Sequence, residues 1–208
     1  MDIFLSVLSV IGIIIGAVLL IMIISFLLSA ALYESVFGKR FEIYDSAHLP
    51  DLNDYPGLVN EPVTFPSERG YNYTGFYYHD EKYDSFKGLI VFSHGIFDGQ
   101  LSYLPEIAYF AKHGYKVFGF DNTGCHLSGG KSLRGLPQSA EDLNAALKFV
   151  TKDNKLPLFL FGHSWGGYAV SAVHCYNLYD IKGVFVQSGF DSSCEMVLEE
   201  GSAMMGRW

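Results

Sequence analysis

The run Pro157-Leu158-Phe159-Leu160-Phe161-Gly162-His163-Ser164-Trp165-Gly166-Gly167 constrains the fold of this chain more than any other. Its first half is continuously apolar, as a strand buried on both faces is, and a helical pattern over 168–176 follows it directly. A strand reversing into a helix over so few atoms presses two backbones together, so side chains at 162 and 166 would collide and glycine suits both positions. The spacing G-x-S-x-G therefore predicts a sharp turn with Ser164 at its tip. There its hydroxyl is exposed, and the N-terminal end of the next helix favours developing negative charge.

The rest of the chain repeats the same alternation. Apolar runs predict strands over 62–65, 71–78, 88–93, 115–120, 158–161 and 183–187. Helical spacing appears over 102–113, stopped by Gly114, and over 137–152, where Leu143, Ala146, Leu147 and Val150 share one face. Ser139 with Asp142 three residues on resembles a capping box at the start of that second helix. Regular strand–helix–strand order implies an α/β fold with a mostly parallel sheet covered by helices on both faces.

With 208 residues, half of them apolar, the chain can pack one domain. A net charge of −8 with no Lys/Arg cluster excludes an electrostatic footprint for nucleic acid. Cys125, Cys175 and Cys194 form no CxxC pair and read as ordinary thiols. Seven scattered histidines, His48 among them, make no HExxH or other ligand spacing, so no metal is expected, and acyl transfer through serine needs no cofactor.

Residues 3–33 carry no charge and are dominated by Ile, Leu, Val and Phe. About 20 apolar residues cross a bilayer, so this run predicts a single transmembrane helix. A cleaved signal peptide, for which Ser29-Ala30-Ala31 would serve, fits less well: the apolar stretch exceeds the usual ~7–15 residues and Met1-Asp2 has no basic residue. Lys39 and Arg40 follow the run, and by the positive-inside rule they place the following domain in the cytoplasm. The expected organisation is an anchor over 1–33, a stalk over 34–60 rich in Pro, Asp and Asn, and a domain over 61–208.

The loop after the 88–93 strand opens with His94-Gly95. An acyl-transfer site needs two N–H donors aimed at the oxyanion, expected here from the backbone amides of Ile96 and Trp165. His94 reads as a structural residue pinning that loop. At this point the chain resembles the α/β-hydrolase superfamily, and within it the group of monoglyceride lipase-like lysophospholipases and serine aminopeptidases. The matching features are His94-Gly95, Gly114-Tyr115-x-Val117 leading to Asp121, Gly124 with Ser128-Gly129, and Gly162-His163-Ser164-x-Gly166-Gly167. The resemblance covers roughly residues 62–190. By that analogy Asp121 and its loop shape the sheet edge rather than act in chemistry, and Cys125-His126 stand where the group carries a glycine near the loop tip.

In this fold the acid and then the histidine follow the serine. After Ser164 the only histidine is His174, ten residues on and about 15 Å along the helix, too far to act as base. Asp180 and Asp191 are acids in the right order, and the resemblance places acid and histidine on later strands than 183–187. The chain is thus expected to stop where a cap would begin and to turn over little substrate as written. The functional expectation is a membrane-anchored serine hydrolase acting on a lipid ester, a lysophospholipid or a short peptide. The alternative is a non-catalytic binding or scaffold protein on the same fold.

Overall fold

Leu89-Ile90-Val91-Phe92-Ser93 are all buried and form β3, at the centre of a six-stranded sheet. The computed structural model describes residues 2–42 and 49–205; His48 and the end of the expected domain at 206–208 lie outside them. The chain divides into two units, Met1–Lys39 and Arg40–Trp208. In the first, one helix, α1 (Asp2–Phe37), is long and apolar enough by length and composition to cross a membrane. Its 36 residues span about 54 Å at 1.5 Å per residue, more than the ~30 Å of a hydrocarbon core.

In the second unit the strands are β1 (Leu58–Pro66), β2 (Asn72–Asp80), β3, β4 (Lys116–Phe120), β5 (Leu158–His163) and β6 (Ile181–Gln187). Their order in the sheet is β1-β2-β4-β3-β5-β6. β1 and β2 pair antiparallel, and β2 meets β4 antiparallel, whereas β4, β3, β5 and β6 run parallel. The expected mostly parallel sheet is present, and the antiparallel β1 and β2 make it mixed. β1 is longer than the 62–65 run because an edge strand tolerates the polar Asn60 and Glu61 that break the apolar pattern.

Alternation along the strands feeds two cores. Leu89 and Val91 of β3 and Leu158 and Leu160 of β5 face Leu143, Ala146, Leu147 and Val150 of α3 (Gln138–Val150) and Ala169, Val170 and Val173 of α4 (Trp165–Cys175). Ile90, Phe92 and Phe161 face the other way, onto Leu104, Ile107, Ala108 and Ala111 of α2 (Leu104–Lys112). Phe92 stacks on Phe161 at 4.6 Å between ring centres. Each of the Leu, Ile, Val and Phe side chains contributes about 1.5–3 kcal/mol by burial, which is what holds helices to both faces. A fifth helix, α5 (Ser193–Met205), follows β6.

One local expectation is corrected. Pro137, not Ser139, stands at the N-cap of α3, and no side chain caps it. Ser139 and Asp142 are fully buried within the helix and turn to partners elsewhere in the fold.

Candidate active site

β5 ends at His163 and α4 begins at Trp165, so Ser164 alone makes the reversal, with φ +53° and ψ −112°. A non-glycine residue there is strained and persists only where its surroundings over-determine it. The Ser164 N–H donates to the Gln187 carbonyl of β6 at 2.9 Å, and its own carbonyl accepts from Tyr168 N–H at 3.0 Å. The predicted glycines have the predicted cause: a Cβ on Gly162 would run into the Gly166 carbonyl, and one on Gly166 into the carbonyls of Ser93 and His94. The elbow is thus wedged against the end of β3.

α3 holds it from the other side. The buried Trp165 indole N–H donates to the Leu136 carbonyl at 2.6 Å, and the Ser139 hydroxyl lies 3.3 Å from the Trp165 carbonyl. Ser139 lies inside the helix, beyond the Pro137 N-cap, and its hydroxyl also donates to the Leu136 carbonyl at 3.2 Å, so it does not cap the helix.

The loop after β3 is pinned by His94, which is buried. Its Nδ1 lies 2.7 Å from the Gly95 carbonyl, and its Nε2 accepts the Asn122 N–H at 2.9 Å. A ring nitrogen that accepts and one that faces a carbonyl fix the neutral Nδ1–H tautomer. His94 therefore ties the loop to the end of β4, the structural role its sequence position suggested. Sequence reasoning missed Tyr103. Its hydroxyl accepts the Gly95 N–H at 3.1 Å and lies 2.7 Å from His163 Nδ1, joining this loop to the elbow. Burial pushes the Tyr103 phenol up to about 12. Only its helical spacing marks it in the sequence, and that signals core.

The N–H groups of Ile96 and Trp165 donate to no protein group among the described residues. Trp165 is the first residue of α4, where a helix leaves its N–H groups free. Beyond Ile96 the loop bends through Phe97 at φ +56°.

Asp121 is buried, and its carboxylate accepts from the Gln100 and Leu127 N–H groups at 3.0 and 3.3 Å. Burial pushes its carboxyl above the usual range. Its carbonyl takes the Ser128 hydroxyl at 2.6 Å, so Asp121 organises the 121–130 loop. At the loop tip His126 sits at φ +39°, a left-handed backbone suited to glycine. Asp142 accepts from the Thr123 N–H and hydroxyl, the Tyr73 hydroxyl and the Gln138 amide, all within 2.8 Å. Burial nonetheless raises its carboxyl pKa.

His174 stands exposed near the end of α4. Asp180 is exposed and pairs with Lys182 at 2.7 Å, and Asp191 is exposed in the turn between β6 and α5. Among the described residues the Ser164 hydroxyl hydrogen-bonds to no histidine or carboxylate. A surface hollow of about 500 Å³, lined by Thr151, Asn154, Leu156 and Tyr179, opens at the opposite end of β5 and is remote from the serine.

A mostly parallel sheet flanked by helices, with a strained serine between a central strand and a helix, defines an α/β-hydrolase. The chain belongs to the family described as serine aminopeptidase, S33, which matches residues 84–193. Solved structures of the same fold include an esterase of Pyrococcus furiosus, 18% identical, with a TM-score of 0.61 over 73% of this chain and 56% of that one. A thermostable carboxyl esterase of Bacillus coagulans is 23% identical, with a TM-score of 0.53 over 62% of this chain and 44% of its own. A bacterial brefeldin A esterase is 21% identical, with a TM-score of 0.55 over 68% and 42%. The chain spans about half the length of these structures. No curated protein matches it.

Proposed function

We propose that this chain is a membrane-anchored serine hydrolase that cleaves an ester or amide bond, with Ser164 as nucleophile and the Ile96 and Trp165 N–H groups as the oxyanion donors. The observation that carries this reading is the backbone of Ser164. A strained seryl turn between β5 and α4, braced by close glycine contacts, presents a hydroxyl beside a free helix-end N–H. Attack by Ser164 Oγ on the carbonyl carbon would move charge onto the carbonyl oxygen, and the two amides would receive it. Ester substrates are favoured because several of the solved neighbours are esterases. The apolar helix α1 favours a lipid ester or lysophospholipid over a short peptide, since an anchored enzyme meets such substrates in the membrane.

A second reading has a specific observation behind it: no base contacts the Ser164 hydroxyl among the described residues. On that reading the fold binds a ligand without turning it over. A fluorophosphonate probe separates the two. For the complete gene product, labelling is expected at Ser164, located by peptide mass spectrometry, and Ser164→Ala is expected to be unlabelled. Absence of labelling, or labelling at another serine, supports the binding protein instead.

A further inference from the structure

We propose that Arg40 and Phe41 form a strap that positions the oxyanion loop, making the segment just ahead of the domain part of the site. This rests on the assignment of the Ile96 N–H as an oxyanion donor. The Arg40 guanidinium donates to three backbone carbonyls of one loop: His126 at 2.8 Å, Ser128 at 2.9 Å and Gly130 at 2.7 Å. Its Nε is held by Glu42 at 2.7 Å. Such a planar fork holds several acceptors in a preset geometry, whereas the three donors of an ammonium rotate freely.

Phe41 continues the same clamp through its backbone. Its N–H donates to Gly124 at 2.8 Å, and its carbonyl accepts from His126 N–H at 2.9 Å, forming a parallel bridge with Cys125. Its ring then packs on Phe97, 5.8 Å between centres. Phe97 directly follows Ile96 and holds a left-handed φ that a bulky side chain adopts only under constraint. From the other side the loop is fixed by His94 and Tyr103. The Ile96 N–H therefore lies between a pinned residue and a strained one, and the Phe41 ring is the brace on the strained one. An oxyanion donor displaced by a fraction of an ångström loses most of its effect.

The test reads Phe41→Ala, Phe41→Tyr and Arg40→Lys in the complete gene product, by amide hydrogen exchange and by the rate of fluorophosphonate labelling at Ser164. Phe41→Ala is expected to raise exchange at Gly95, whose N–H donates to Tyr103, by ~tenfold or more, with β5 and α4 unchanged, and to slow labelling by a similar factor. Phe41→Tyr keeps the ring and should restore both. Arg40→Lys keeps the charge without the fork and should raise exchange across 124–130. Unchanged exchange at Gly95 in Phe41→Ala overturns the strap, and so does raised exchange with undiminished labelling. If the unsubstituted chain is not labelled at all, the hydrolase reading fails, and the exchange measurement alone then decides whether the strap exists. Should Phe41→Ala lose protection throughout the sheet, Phe41→Leu takes its place with the same expected direction.

Discussion

At φ +53° and ψ −112° the Ser164 backbone sits where glycine pays little and other residues pay about 1–3 kcal/mol. Ser164→Gly is therefore expected to be more stable than Ser164→Ala by about 1–3 kcal/mol, read as a difference in urea midpoint between two variants that both lack the hydroxyl. Tyr103 has a different signature. Its folded phenol is pushed up to about 12, against about 10 when unfolded, so between those values the folded state keeps a proton that the unfolded state has released. Stability then falls as pH rises from about 10 to about 12 and is unaffected below that window. Tyr73 and Tyr78, raised by burial as well, contribute with the same sign, so Tyr103→Phe should flatten the alkaline loss without abolishing it in urea melts at pH 9, 10 and 11. Ser164 was readable from sequence because its constraint is local, two glycines and two flanking periodicities. Tyr103 was not, because its hydroxyl serves Gly95 and His163, and the latter is sixty residues away.

Among the elements, the contact of the elbow with the end of β3 leaves no room for adjustment. A Cβ on Gly166 would meet two carbonyls of the main chain rather than a movable side chain. Gly166→Ala is expected to cost about 3 kcal/mol or more, visible as a lowered melting temperature or loss of soluble protein. α3 is tied in through Asp142, whose four donors come from β2, the 121–130 loop and its own helix. Asp142→Ala leaves those donors buried without an acceptor and should cost about 3–4 kcal/mol in chemical denaturation. Here local sequence misleads. Ser139 and Asp142 have the spacing of a cap, but spacing records neither that Trp165 nor that Thr123 would come within reach. The strands 88–93 and 115–120 were readable because each carries an unbroken apolar run, 89–92 and 117–120. The 40–42 strap was hidden among turn-forming residues, since its partners lie more than eighty positions along the chain.

For the molecule as a whole, the division after Lys39 predicts separable behaviour. A chain starting at Arg40 should keep the thermal transition of the sheet while moving from the detergent phase to the aqueous phase in a cloud-point partition, with the full chain remaining in detergent. Equal partitioning of the two would remove α1 as the anchor. The strand order has a further consequence in time. β3 lies between β4 and β5, so one of its edges stays unpaired until Leu158 has been made, 65 residues after Ser93 (158 − 93). At synthesis rates of about 5–20 residues per second this amounts to roughly 3–13 s for each nascent chain. During that interval Leu-Ile-Val-Phe, the most apolar strand of the sheet, is an open template for other growing chains, and yield in the cell becomes a matter of translation speed and chaperone supply as much as of final stability.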